Sequence, residues 1–160
     1  MQEPKSAADL LTYRLLRLSN SLGLYSSRRY RRDFDVTLPE WRVLSVIAAQ
    51  ETTTARDISL TLATDKGWVS LSVDRLVSRG FVKRSPDKLD LRRSLLTLTA
   101  EGRRLHDTIM ANARRRQKRL LGALAPGTID QLIASLERLQ AEADRMLDEL
   151  DVESGETRSK

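Results

Sequence analysis

Apolar residues recur at helical spacing near both ends of the chain. The first stripe consists of Leu11, Leu15, Leu18, Leu22 and Tyr25. The second stripe consists of Leu132, Leu136, Leu139, Ala143, Met146 and Leu150. Steps of three and four residues place side chains on one face of an α-helix. The pattern therefore predicts a long first helix over residues 7–32 and a long sixth helix with a heptad-like apolar seam.

The middle of the chain predicts three shorter helices. Thr37 and Glu40 have the spacing of a capping box, which marks the start of the second helix. A short third helix over residues 55–63 is followed by a fourth helix, which Asp65 can cap and Gly80 can end. Two helices joined by so short a connection have the outline of a helix-turn-helix, which any pair of antiparallel helices shares.

After the fourth helix the period of the apolar residues changes from helical to alternating. Residues 81–84 and 91–98 predict two strands, and residues 85–88 have the composition of a turn. A fifth helix begins after Thr99 and extends to about Leu124. A β-hairpin directly after a helix-turn-helix is the wing of a winged helix, and this succession is far more specific than either part alone.

Positive charge is concentrated in two zones of the chain. The sequence holds 28 Lys and Arg residues against 22 Asp and Glu, a net charge of +6. Residues 1–32 contain seven basic and two acidic residues, and residues 66–93 contain eight basic and three acidic residues. Each zone thus carries a net charge of +5. Such zones predict contact with a polyanion, and double-stranded DNA is the polyanion that a winged helix would bind. An ordinary solvated surface is the alternative, because Arg-rich helices are common.

The residue inventory excludes several function classes. The chain has no Cys and a single His, so we expect no disulfide, no thiol redox chemistry and no metal site. It has no Gly-rich phosphate loop, paired-carboxylate motif or Ser–His signature, and we therefore expect neither an enzyme nor a cofactor. Without a long apolar run or a leader-like start, we expect no membrane partner and a cytoplasmic location.

The predicted fold class is mainly α, an α+β winged helix-turn-helix with six helices and a two-stranded β wing. Residues 35–98 would form the DNA-binding domain, residues 1–34 and 99–151 a helical dimerisation region, and residues 152–160 a flexible tail. The terminal stripes carry more apolar surface than a winged helix can cover, which predicts an intertwined homodimer; a monomer with a helical cap is the alternative. The predicted dimer contacts are Leu11, Leu15, Leu18, Leu132, Leu136, Leu139 and Met146.

Several short segments together resemble the MarR family of bacterial regulators, named for multiple antibiotic resistance. They are Leu38–Leu44, Asp65–Ser70, Asp74–Val77, Arg79–Val82 and Asp90–Arg93, followed by Leu96, Leu98, Thr99 and Gly102. The resemblance covers residues 10–150. It implies a homodimeric winged-helix transcription factor that binds a pseudo-palindromic operator. Many members of the family are repressors that small aromatic or phenolic anions release from DNA.

A sequence-specific DNA-binding transcriptional regulator is therefore the expected function. We expect a repressor of nearby genes that leaves its inverted-repeat operator when a small aromatic or phenolic anion binds. The alternative is a helical dimeric adaptor whose winged helix contacts protein instead of DNA. DNA binding with a steep salt dependence would distinguish the two.

The predicted DNA contacts lie on the fourth helix and on the wing. They are Lys66, Gly67, Trp68, Ser70, Leu71, Arg75, Lys83, Arg84, Lys88, Asp90, Arg92 and Arg93. Residues near the start of a recognition helix read base edges in the major groove, although Trp68 could equally pack against the wing. The resemblance implies that Asp90 orients Arg92 for the minor groove. Leu71 departs from the family, in which many members have arginine at this position.

Two further departures concern glycines that are usual in the family. Ala63 stands in the turn of the helix-turn-helix, and the glycine before the second helix is replaced near Asp35. A left-handed backbone at Ala63 would be strained, because its Cβ disfavours that conformation.

The predicted effector-binding residues belong to the first, second and fifth helices, where members of the family often bind ligands. They are Tyr13, Arg17, Trp41, Arg42 and His106. Aromatic walls and arginines favour an aromatic carboxylate or phenolate over a cation.

Overall fold

The computed structural model of the chain describes residue 3, residues 5–87, residue 90 and residues 93–154. A 3-10 helix over Ala7–Asp9 comes first. The α-helices are α1 (Leu11–Phe34), α2 (Leu38–Gln50), α3 (Ala55–Leu62), α4 (Lys66–Ser78), α5 (Ala100–Leu121) and α6 (Ile129–Ser154). The strands are β1 (Val82–Pro86) and β2 (Ser94–Leu98). Six helices and a two-stranded antiparallel sheet within these residues confirm the predicted winged helix-turn-helix.

The chain forms two compact units that divide within α5, after residue 112. The first unit contains everything from the N-terminus to the first half of α5, and the second contains the rest of α5 and α6. This structural division differs from the functional one, in which residues 1–34 join residues 99–151 in a dimerisation region. The functional division stays a prediction.

Several helix ends differ from those that the sequence pattern indicated, and the larger differences concern α1, α5 and α6. α1 begins at Leu11 because Leu10 has an extended backbone, with φ −66° and ψ 136°. α5 ends at Leu121, before the Ala125-Pro126-Gly127 segment. α6 continues to Ser154 and so includes the first residues of the predicted tail, whereas residues 155–160 lie outside the described part of the chain.

The core of the first unit lies between α2, α3, α4 and the wing. Its buried members are Val43, Leu44, Val46, Ile47, Ile58, Val69, Val73, Leu76, Val82 and Leu96. Val69, Val73 and Leu76 share one face of α4 and are fully buried, so the opposite face of this helix lies at the surface. The core thereby determines which residues of α4 can meet a partner.

The wing is paired within itself and attached to the start of the helix-turn-helix. β1 and β2 run antiparallel, with Val82 opposite Leu98 and Pro86 opposite Ser94. The N–H of Thr53 donates to the carbonyl of Leu96 at 3.2 Å, and the N–H of Leu96 donates to the carbonyl of Thr53 at 2.8 Å. These two bonds fix the base of the wing beside α3.

Side-chain caps set the starts of α2, α4 and α5 as the sequence predicted. The Thr37 hydroxyl accepts from the N–H of Glu40 at 3.3 Å, and the Glu40 carboxylate accepts from the N–H of Thr37 at 2.7 Å. Asp65 accepts from the N–H of Trp68 at 3.1 Å. The Thr99 hydroxyl accepts from the N–H of Gly102 at 3.0 Å. Such caps satisfy N–H groups that have no partner inside the helix.

A second buried cluster joins α1, α2 and α5. Tyr30, Val36 and Ile109 form its centre, and Phe34, Leu38, Trp41 and Leu105 pack around them. The Tyr30 ring lies 5.7 Å from the Trp41 ring and 6.5 Å from the Phe34 ring, between centroids. The sequence did not indicate Tyr30 as a core residue, because four arginines surround it in the run 28–32.

The turn between α3 and α4 has the left-handed backbone that glycine favours. Ala63 ends α3 with φ 47° and ψ 52°, and its N–H donates to the carbonyl of Leu60 at 3.2 Å. A left-handed conformation costs an L-residue roughly 1–2 kcal/mol because Cβ approaches the carbonyl oxygen. The strain predicted at this departure from the family is therefore present.

We expect Ala63→Gly to raise the free energy of unfolding by about 1 kcal/mol, because glycine adopts this backbone without strain. Ala48→Gly, in the interior of α2, is the matched control and should lower the free energy of unfolding by about 1 kcal/mol. Urea denaturation measures both. A loss of stability in both variants would contradict the interpretation of Ala63 as strained.

The predicted dimer contacts are all exposed in the single chain. In α1 the exposed fractions are 52% for Leu11, 37% for Leu15 and 51% for Leu18. In α6 those of Leu132, Leu136, Leu139 and Met146 range from 40% to 62%. Among the described residues, no helix is both long and apolar enough to cross a membrane.

Candidate nucleic-acid interface

Five of the six residues of α4 that were predicted to contact DNA lie on its exposed face or beside it. Lys66, Gly67, Leu71 and Arg75 are exposed, and Ser70 is half-buried beside them. Lys66 opens the helix directly after the Asp65 cap, so the positive end of the helix dipole and a lysine lie together. The start of α4 can therefore attract a phosphate while the next turns present side chains to base edges.

Trp68 and Gly67 have local structural roles at the start of α4. Trp68 is half-buried and packs against the core cluster, and its predicted contact with DNA stays a prediction. A Cβ on residue 67 would come within 3.0 Å of the Asp65 carboxylate oxygen that caps the helix. Glycine at this position thus leaves room for the cap.

Two ion pairs hold the basic side chains of the wing. Arg84 Nη2 in β1 donates to Asp74 Oδ1 in α4 at 2.8 Å. Arg93 Nη2 lies 3.8 Å from Asp57 Oδ2 in α3. Sequence analysis missed both acids, because each pair joins residues far apart along the chain. The pairs connect the wing to the helix-turn-helix and aim its guanidinium groups along one side of the domain.

A cleft of about 730 Å³ lies between α3, the start of α4 and the wing. Its lining is mainly charged, and the four cations outnumber the two acids. The cations are Arg56, Lys66, Arg84 and Arg93, and the acids are Asp57 and Asp90. A concave surface with an excess of positive charge concentrates anions from solution.

Part of the predicted wing lies outside the described residues. Lys88 and Arg92 belong to that part, so the predicted orientation of Arg92 by Asp90 stays a prediction. The carbonyl of Asp90 accepts from the N–H of Arg93 at 2.9 Å. Lys83 is exposed in β1.

Asp33 holds two of the arginines at the basic end of α1. Arg29 Nε lies 2.5 Å from Asp33 Oδ2, and Arg32 Nε donates to Asp33 Oδ1 at 2.8 Å. The hydrogen bond from Arg32 lowers the pKa of Asp33, and the same bond raises the pKa of Arg32. Both arginines are therefore paired within α1, and Asp33 offsets part of the positive charge at the end of this helix.

The predicted effector residues fall into two groups. The rings of Trp41 and His106 are stacked, with centroids 5.4 Å apart and planes 19° apart. Arg42 lies with Trp41 on the lining of a groove of about 300 Å³ between α2 and α3. Tyr13 and Arg17 lie on the exposed surface of α1.

A helix-turn-helix with a cationic recognition helix and a basic wing defines a winged-helix protein of the nucleic-acid-binding type. The profile of the MarR family matches residues 34–93, which include the helix-turn-helix and the first strand of the wing. The multiple antibiotic resistance protein MarR of Escherichia coli (strain K12) is 30% identical over 103 residues. That match covers 61% of this chain and 72% of the relative. The chain belongs to the MarR family of transcriptional regulators.

Other relatives extend the likeness over more of the chain. The HTH-type transcriptional regulator TtmR of Methylorubrum extorquens (strain PA1) is 27% identical over 158 residues, which cover 97% of this chain and 74% of TtmR. The crystal structure of a MarR/EmrR family transcriptional regulator from Acinetobacter sp. ADP1 has a TM-score of 0.76 and 30% identity. The match covers 84% of this chain and 94% of the Acinetobacter chain.

Two related crystal structures contain a bound molecule. A mutant of E. coli MarR complexed with operator DNA has a TM-score of 0.73 at 23% identity, and the match covers 85% of this chain and 99% of the MarR chain. The PcaV regulator of Streptomyces coelicolor, in complex with its natural ligand, has a TM-score of 0.71 at 25% identity. That match covers 89% of this chain and 98% of the PcaV chain.

Proposed function

We propose that this MarR-family regulator is a homodimer that binds an inverted-repeat operator in double-stranded DNA. α4 of each protomer enters the major groove, and the wing follows the adjacent backbone and minor groove. The observation that carries the proposal is the cationic cleft, where Lys66 at the start of α4 and Arg84 and Arg93 of the wing face one space. The structure of MarR with operator DNA supports the same use of the fold.

The exposed apolar stripes support the homodimer. Seven large apolar side chains of α1 and α6, between 37% and 62% exposed, follow helical spacing. Burial of apolar surface contributes about 25 cal/mol per Å², so a partner with the same stripes would stabilise both chains. A second copy of this chain offers such a partner. Two recognition helices related by a two-fold axis would then lie ~34–36 Å apart, one turn of DNA.

A small anion is the proposed signal, and repression of nearby genes is the proposed outcome. The stacked pair of Trp41 and His106 and the neighbouring Arg42 favour a flat anionic ligand such as an aromatic carboxylate or phenolate. The complex of PcaV with its natural ligand supports a small-molecule signal in this fold. The ligand would release DNA only to the extent that it binds more tightly to a dimer with one separation of its recognition helices than to a dimer with another.

Selection from a pool of random duplexes tests this function. The protein should enrich an inverted repeat whose half-sites lie about 10 base pairs apart, centre to centre. Sequencing of the bound pool and a footprint of the best site measure the outcome. Recovery of no common sequence, or of a site without two-fold symmetry, would contradict the proposal.

We expect Lys66→Ala to weaken binding to the selected site and to unrelated duplexes by similar factors, because a lysine at a helix start contacts phosphate more readily than bases. The slope of log affinity against log salt should fall by about one per lost contact. Lys118→Ala, an equal loss of charge on α5, is the matched control and should leave affinity close to that of the wild type. Fluorescence anisotropy measures both, and equal losses in the two variants would exclude a special role for Lys66.

A further inference from the structure

Arg79, which follows the last residue of α4, reaches the connection between α1 and α2. Its Nη1 donates to the main-chain carbonyl of Asp35 at 2.6 Å, and its Nη2 donates to the Asp35 carboxylate at 3.2 Å. The two residues lie 44 positions apart in the sequence. A single guanidinium group thereby joins the end of the recognition helix to the end of α1.

The connection that receives this guanidinium has a defined conformation. Asp35 has a left-handed backbone, with φ 52° and ψ 40°. Its N–H donates to the carbonyl of Arg31 at 3.1 Å, and the N–H of Val36 donates to the carbonyl of Tyr30 at 3.2 Å. These bonds end α1 and direct the chain into α2. Arg79 therefore holds the residue at which the chain changes direction.

Two other groups hold the Arg79 side chain in place. Arg79 Nη1 lies 4.0 Å from Glu40 Oε2, the carboxylate that also completes the capping box of α2 and is only 5% exposed. The guanidinium carbon lies 5.0 Å from the centre of the Phe81 ring, which follows α4. A planar guanidinium can donate to several acceptors and stack on a ring at once, whereas an ammonium group is a compact charge without the planar fork of donors.

We infer that Arg79 is a positioning residue for operator recognition, because it fixes the direction of α4 relative to α1. The inference rests on the proposed dimer, in which α1 belongs to the dimer scaffold and α4 enters the DNA. A small rotation at the α1–α2 connection would move the two recognition helices of a dimer in opposite directions. Arg79 thus determines which separation of half-sites the dimer prefers, without touching DNA itself.

Affinity for operators of different spacing tests this role. Duplexes would carry the selected inverted repeat, the same repeat with one base pair added or removed at its centre, or a single half-site. Arg79→Gln removes both the positive charge and the planar guanidinium donors. Arg79→Lys retains the positive charge without the planar guanidinium. Arg104→Gln is the matched control, since the Arg104 guanidinium donates to Glu101 within the same helix α5.

We expect Arg79→Gln to lose about five-fold or more of the preference for the selected spacing, a typical size for coupling between sites. Affinity for a single half-site should stay unchanged, which a general loss of folded protein would not allow. Arg79→Lys should lose part of the preference for the selected spacing, and Arg104→Gln should lose none of it. If Arg79→Gln does not fold by circular dichroism, the result for Arg79→Lys decides.

The inference would be overturned if a folded Arg79 variant kept the spacing preference of the wild type. It would also be overturned if Arg104→Gln lost as much of this preference as Arg79→Gln. A fall in half-site affinity equal to the fall for the full operator would also overturn it. If the wild-type protein itself did not distinguish the spacings, the proposed function would fail together with the inference. If the wild type distinguishes them and the Arg79 variants do so equally well, the inference alone fails.

Discussion

Gly102→Ala is expected to lower the free energy of unfolding by about 3 kcal/mol, the upper range for overpacking a buried site. Gly102 lies in the first turn of α5 and is buried. A Cβ at this position would overlap with the carbonyl oxygen of Phe81, which is main chain and cannot rotate away. That same carbonyl accepts from the N–H of Thr99 at 3.1 Å, so α5 and the start of the wing would have to separate.

Gly23→Ala is the matched control for this substitution. Gly23 lies inside α1, and a Cβ there would meet no atom within 4 Å. Alanine favours a helix over glycine by about 1 kcal/mol, so this variant should be as stable as the wild type or more stable. Urea denaturation measures the difference in the free energy of unfolding between the two variants. The comparison requires that this free energy depends on urea concentration with the same slope in both. Equal stability of both variants would show that Gly102 is not held against the Phe81 carbonyl.

Leu136→Asp is expected to dissociate the dimer or unfold it. Leu136 lies in the middle of the α6 stripe, and a buried unpaired carboxylate costs several kcal/mol. The matched control is Ala134→Asp, which adds the same charge two residues earlier, on the opposite face of α6 by helix geometry. Sedimentation at micromolar concentration should show a dimer for the wild type and for Ala134→Asp. A monomeric wild type would contradict the proposed assembly. A Leu136→Asp variant that remains dimeric would show that α6 is not part of the interface.

The element order could be predicted because local signals determine most of it. The helix caps are the Thr37–Glu40 capping box, Asp65 and Thr99. Each makes the hydrogen bond that its residue type and position indicated. The change from helical to alternating apolar spacing after Gly80 located the wing. Such signals lie within a few residues of one another, so the sequence displays them directly.

Contacts between distant residues could not be predicted in the same way. Two examples are the ion pairs of Arg79 with Asp35 and of Arg84 with Asp74. They depend on how helices and strands pack together, which no local pattern encodes. Tyr30 is buried in a run of arginines because one face of α1 turns toward α2 and α5 at that point. The candidate DNA surface was predicted with Asp90 as its orienting acid, whereas the pairing of Arg84 with Asp74 and of Arg93 with Asp57 became evident only from the fold.

The central claim is that the winged helix of this regulator binds DNA, and a salt titration tests it most directly. Four described cations line the cationic cleft of each protomer, namely Arg56, Lys66, Arg84 and Arg93. Each phosphate that a cation neutralises contributes about −0.9 to the slope of log affinity against log salt.

Affinity for the selected duplex should therefore be measured by fluorescence anisotropy over a series of salt concentrations. We predict tight binding at low salt and a steep negative slope, corresponding to several phosphate contacts per dimer. A protein adaptor with the same fold would bind the duplex weakly or not at all. Absence of binding at low salt, or an affinity that does not change with salt, would contradict the account.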